Sequence, residues 1–212
     1  MEKLGLNLEK IYGAPEGGFS ERGLFGSIDT RNSRYIEASK KSRKNPDNPF
    51  IDFASSMRLV KEFQPGGGAK NPEKDFLNNL RIEVADRLGL QTDEELDEVG
   101  AYTAIGWPEK TSLDVLHGVD AFITYKASGK DEIFVTLDGT DNSEKITRNV
   151  KADIVVFGPD LPDPNEDEDG YLKAVGKYAD KVVREFIRKM NLEKSAERKA
   201  HGARETSAES QL

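Results

Sequence analysis

The run VDAFITYKASGKDEIFVTLD, residues 119–138, constrains the fold more than any other stretch of the chain. It holds two apolar segments, VDAFITYK and EIFVTLD, on either side of Ser128, Gly129 and Lys130. A three-residue loop containing glycine closes an antiparallel hairpin. Side chains alternate across a strand, so the register can be tested from the residues alone. With this loop Ala127 opposes Asp131. One face then pairs Tyr125 with Ile133, Ile123 with Val135 and Ala121 with Leu137, all apolar. The other face pairs Lys126 with Glu132, Thr124 with Phe134, Phe122 with Thr136, and Asp120 with Asp138. A slip of one residue would set apolar residues against polar ones.

The same register brings two carboxylates side by side. Like charges directly opposite on a sheet are destabilising. They are tolerated when solvated, when one is protonated, or when a divalent cation lies between them. Magnesium favours such carboxylates together with water and substrate phosphate. Asp120 and Asp138 are therefore either solvated strand ends or a candidate metal site. A third strand, KADIVVF (151–157), sets Lys151 and Asp153 opposite the face formed by Ala152, Ile154 and Val156.

Helical periods flank these strands. In EKDFLNNLRIEVADRLGL (73–90), Phe76, Leu77, Leu80, Val84 and Leu88 recur at three- and four-residue spacing, and Gly89 can end the helix. Glu83 lies at the edge of that packed face. Thr92 and Glu95 form a capping-box pattern, and GAYTAIGW (100–107) reads as a strand. DGYLKAVGKYADKVVREFIRKM (169–190) is a second amphipathic helix. The expected fold is α/β (α+β): a mixed β-sheet meander flanked by helices over residues 71–192. An irregular arm (1–70) precedes it, with one short helix over 50–63 and a loop, PGGGAKNP, at its boundary. A polar tail without a period (193–212) is expected to be disordered.

Composition narrows the chemistry. The chain has no cysteine, which removes disulfides and thiolate metal sites. Its two histidines, His117 and His201, are too few for a multi-histidine zinc site. No apolar run is long enough for a secretory signal or a membrane span, so an intracellular protein without a membrane partner is expected. No Gly-x-Ser-x-Gly elbow or Walker loop is present. NEDEDGYL (165–172) sets Asn165, Asp167 and Asp169 at the first, third and fifth positions of a calcium loop, with Gly170 at the sixth, but Gly176 stands where a bidentate Glu is required. That run is read as an acidic cap on the last helix. The net charge is −8, carried by the acidic runs 93–98 and 160–169. Arg34, Lys40, Lys41, Arg43 and Lys44 make the segment 33–44 basic. It is either a solvated arm or one that touches phosphates.

The helix, the aspartate of "GVD" and the aspartate of "FVTLD" eighteen residues later together resemble the PD-(D/E)xK, or restriction-endonuclease-like, nuclease superfamily. The resemblance spans roughly residues 73–190. It implies metal-assisted phosphodiester hydrolysis, with Asp120, Asp138 and the Gly139 carbonyl holding Mg²⁺ or Mn²⁺. Glu83 would match the acid on the family's first helix and bind a second metal or polarise a water. The family lysine would fall on Thr140, so it must come from elsewhere. Lys145 and Lys151 are the candidates, Lys151 being the better placed by strand alternation. His117, three residues before Asp120, is read as structural. The implied partner is nucleic acid, DNA rather than RNA, with the basic arm on its backbone. Two other readings compete. One is a non-catalytic protein of a nucleoprotein or viral assembly, draping its arm over a protein partner or a second copy. The other is a metal-dependent enzyme acting on a small phosphorylated ligand.

Overall fold

The structure, a computed structural model, describes residues 20–147 and 150–209. At its centre is a four-stranded sheet of β2 (Val99–Thr103), β4 (Ala121–Tyr125), β5 (Ile133–Thr140) and β6 (Ile154–Phe157), in that order. The first three strands form an antiparallel meander, and β6 joins β5 in parallel. A parallel neighbour needs a crossover, here the segment carrying the short helix α7 (Ser143–Thr147). The hairpin register is the one the alternation requires: Ala121 pairs with Leu137, Ile123 with Val135 and Tyr125 with Ile133. Gly129 takes φ +73° in the turn, a conformation glycine reaches without steric penalty.

Two helices cover the apolar face of the sheet, α4 (Asp75–Arg87) and α8 (Glu168–Glu209). Phe76, Leu77, Leu80 and Val84 of α4 meet Val175, Val182 and Phe186 of α8 over Ala121, Ile123, Val135 and Leu137. The Phe76 and Tyr178 rings pack edge to face at 6.1 Å. The capping box of Thr92 and Glu95 starts α5 (Asp93–Leu96). The acidic run before α8 works as a cap, with Asp167 Oδ1 accepting from the Gly170 N–H at 2.9 Å. The helix α8 continues to Glu209, where sequence alone gave a disordered tail from residue 193; residues 210–212 lie outside the described ones.

The expectation of an irregular arm up to residue 70 is corrected. Residues 1–19 lie outside the described residues. From residue 20 the chain forms α1 (Glu21–Phe25), β1 (Ile28–Asp29), α2 (Ser33–Lys41) and α3 (Phe53–Glu62). Ile28, Tyr35, Ile51, Met57, Leu59 and Val60 of this segment are buried in a second core. Leu113 of α6 (Ser112–His117), Val119 and Phe122 complete it. The other sheet face, where Phe122 and Phe134 alternate with Thr124 and Thr136, is therefore covered and not open to solvent. The strand expected over 100–107 divides into β2 and β3 (Gly106–Trp107), which pairs in parallel with β1. No domain boundary falls near residue 70, because the N-terminal elements share their core with the sheet. Among the described residues no helix is long and apolar enough to cross a membrane.

Candidate active site

At the end of the hairpin away from its turn, the two aspartates meet as the register requires. Asp120 is 4% exposed and Asp138 is 3% exposed. Asp120 Oδ2 accepts from the Gly139 backbone N–H at 2.8 Å, and the Asp138 carboxyl is near enough to raise the Asp120 pKa. Lys145 Nζ donates to Asp138 Oδ1 at 2.8 Å and lies 3.5 Å from the Gly139 carbonyl. A cavity of about 290 Å³ opens here, lined by Glu21, Lys110, Asp114, Asp120, Asp138 and Lys145, with Gly118, Val150 and Lys151.

Glu21 is the residue that sequence reasoning missed. It opens α1, whose N-cap Ser20 accepts from the Gly23 N–H at 3.0 Å. Leu24 and Phe25 of the same helix are buried, and Phe25 packs edge to face on Phe76 at 5.8 Å. That packing presses α1 against β5 at Gly139. A β-carbon on Gly139 would stand 2.8 Å from Phe25 Cε2 and 3.5 Å from Glu21 Cγ. The missing side chain thus admits the helix and brings Glu21 to the aspartates. The only sequence signal was a capping serine ahead of a Leu-Phe pair.

The electrostatics are unbalanced. Burial pushes the Asp120 carboxyl up to about 8, and the charges of Glu21 and Asp138 add to this against the Gly139 hydrogen bond. Burial also raises Glu21, against the attraction of Lys110 and Lys145. Asp114 of α6 is raised by burial too, despite its 3.2 Å contact with Lys110 Nζ. Its Oδ2 is buried without a hydrogen-bond partner. Burial would lower Lys145, but the Asp138 hydrogen bond and the charges of Asp138, Asp120 and Glu21 hold it above the usual lysine value. Several carboxyls thus crowd one half-open cavity, and burial and the neighbouring charges push Asp120 towards its protonated form.

Two of the expected residues need correction. Glu83 stays out of the cavity: its carboxylate pairs with Arg87, which also reaches Asp180 Oδ1 at 2.6 Å and ties α4 to α8. The helix acid near the aspartates is Glu21 instead. Lys151 lines the cavity, but its Nζ is bound to the Leu116 carbonyl at 2.9 Å. Lys145 is the lysine in contact with an aspartate, so the preference for Lys151 is reversed. Asp153, in the bend just before β6, is held by Thr136 and by Lys189 Nζ at 2.8 Å. His117 is structural, its Nε2 3.0 Å from the Ile51 carbonyl and its ring edge-on to Phe53.

The basic residues belong to a folded surface. Arg34, Lys40 and Lys41 lie on α2, and Arg43 and Lys44 follow it. A second cavity of about 400 Å³ is lined by Lys41, Arg43, Lys44 and Arg58 together with Asp52 and Glu62. Lys41 pairs with Glu37 at 2.7 Å and Lys44 with Asp52 at 3.7 Å.

The oxygens of Asp120, Asp138 and the Gly139 carbonyl suit a hard divalent cation, whose charge would relieve the crowding that pushes Asp120 towards its protonated form. Among the described residues no three acidic or histidine side chains already stand at ligand spacing. No family model, curated protein or solved structure matches the chain.

Proposed function

We propose that the protein is a metal-dependent hydrolase of nucleic-acid phosphodiesters. The observation that carries this reading is the contact of Lys145 Nζ with Asp138 Oδ1 at 2.8 Å, beside a second buried aspartate. A lysine on the carboxylate pair supplies the group that Thr140 cannot. Asp120, Asp138 and the Gly139 carbonyl would hold Mg²⁺ or Mn²⁺. Such a cation, when bound, neutralises charge developing on the phosphate and lowers the pKa of a water.

The chain's own groups account for the rest. Lys110, Lys145 and Lys151 offer positive charge to a phosphodiester entering the cavity. Lys145 is placed to donate to a phosphate oxygen as negative charge grows there. Glu21, raised above the usual carboxylate range, is suited to take a proton from an attacking water. Lys41, Arg43, Lys44 and Arg58 would hold the nucleic-acid backbone, giving affinity without sequence information. Residues 20–70 are packed on the sheet, which weakens the competing idea of a free arm draped over a partner.

The test pairs Mn²⁺ calorimetry with cleavage of DNA and RNA, single- and double-stranded, for the wild type and for Asp138→Ala and Lys145→Ala. Metal binding lost in Asp138→Ala, with cleavage lost in both variants, is the expected result. Cleavage that survives in both would overturn the assignment.

A further inference from the structure

We propose that Trp107 and Arg22 form a stacking platform for an unpaired base beside the cavity, so that the nucleic acid taken is single-stranded at that point. This deepens the nuclease reading and rests on it for the ligand class. Trp107 is the chain's single tryptophan and is 39% exposed, although it lies in β3 and its neighbour Gly106 is buried. The Arg22 guanidinium carbon stands 4.0 Å from the indole centroid. Among the described residues Arg22 has no carboxylate partner, so the ring itself holds the guanidinium. A large aromatic ring left part exposed, with a cation on it, offers π-surface and positive charge together.

Its position gives the platform a use. Arg22 directly follows Glu21, and Trp107 precedes Lys110 by three residues. Glu21 and Lys110 both line the cavity, and each feels the other's charge. One pair from these two segments thus faces the cavity while the next pair stacks outside it. A strand whose phosphate lies among Lys110, Lys145 and Lys151 would have a neighbouring base beside the indole. Bases in a duplex are already stacked and paired, whereas a free base can stack on any aromatic or guanidinium face.

Because Trp107 is the lone indole, its emission reports directly. The experiment uses the full-length chain with Lys145 intact and Ca²⁺ in place of Mg²⁺, which keeps every cavity residue while suppressing turnover. A labelled single-stranded oligonucleotide and its duplex are titrated, following anisotropy and tryptophan fluorescence together. The single strand is expected to quench Trp107 and the duplex to leave its emission unchanged. Trp107→Ala should weaken single-strand binding about tenfold and leave duplex binding unaltered. Arg22→Ala, at an exposed position, should weaken single-strand binding as well, with little risk to folding. Single-strand binding without quenching, or equal quenching by duplex, would overturn the platform. Absence of binding in anisotropy would overturn both the platform and the nucleic-acid ligand. Quenching together with a wild type that never cleaves would refute the hydrolase and leave the platform standing.

Discussion

Strand β5 carries two acid–lysine contacts of opposite character. At Thr136 the neighbouring Asp153 carboxylate accepts from the Thr136 N–H and hydroxyl and from Lys189 Nζ, each at 2.8 Å. Its pKa is lowered, these hydrogen bonds and the Lys189 charge prevailing over burial. Two residues along, Asp138 meets Lys145 at the same 2.8 Å, but Asp120 and Glu21 crowd the pair and both are raised, burial being the leading cause. One contact is electrostatically complete and fastens α8 to the sheet. The other is a surplus of carboxyls around a half-open cavity, and such perturbation marks candidate functional sites. Neither the lysine distance nor the strand separates the two; the number of donors per carboxylate does.

The largest consequence concerns activity. Lys145→Ala or Asp138→Ala should lower metal-dependent cleavage by about 10²–10³-fold or more, while Lys189→Ala should leave the rate per folded molecule within about twofold, a change under roughly 0.5 kcal/mol. Initial rates on the best substrate, normalised to folded protein, decide it. A strong rate loss in Lys189→Ala would break the division between the two contacts.

Stability against pH should run in opposite directions at the two places. Asp120 has a folded pKa of about 8, above its unfolded value. The native state therefore keeps a proton that the unfolded chain releases, and stability falls as pH rises from about 4 towards 8. Glu21 and Asp114, also raised, push the same way. Asp153 is lowered, so its contribution is present above the ordinary aspartate range and fades as pH falls below it. Urea melts at pH 5, 7 and 8.5 should show a wild-type decline on the order of several kcal/mol. Asp120→Asn should flatten that decline. A wild type equally stable across this range would show that the crowding is absent in solution.

Removing the settled acid should be felt in stability alone. In Asp153→Ala, Lys189 and Thr136 lose a charged acceptor, at a cost of about 1.5–3 kcal/mol. The paired Lys189 and Asp153 side chains are less than a quarter exposed, at 22% and 19%, so solvent replaces little of it. Chemical denaturation measures the loss, and an unchanged midpoint would mean that Asp153 is no fastening.

How much of this was legible in the sequence follows from how local each feature is. The hairpin register was readable because Ala121, Ile123 and Tyr125 can meet only Leu137, Val135 and Ile133 without setting apolar residues against polar ones. That alone placed Asp120 beside Asp138. Lys145 was undervalued because strand alternation says nothing of a lysine in the short helix after the strand. Glu21 was invisible because its position depends on the contact of Phe25 with Gly139, more than a hundred residues away. The helix over 50–63 was expected and is present as α3 (Phe53–Glu62), but the elements before it were missed because Leu24, Ile28 and Tyr35 are spaced without a period. Their burial needs the second sheet face, where Phe122 packs with Ile28, Tyr35 and Ile51.

The smallest expected effect tests the correction at the helix acid. Glu83 pairs with Arg87 on a partly exposed surface, its side chain 35% accessible, where an ion pair contributes about 0.5 kcal/mol. Arg87 keeps Asp180 as a second partner, which softens the loss further. Glu83→Gln should therefore leave cleavage and Mn²⁺ affinity unchanged and shift the melting temperature by a few degrees at most. Glu21→Gln, an equally conservative change, should lower cleavage, because it removes the carboxylate that reaches the aspartates. If the two variants exchanged these phenotypes, the acid of α4 would be the functional one and α1 only a packing element.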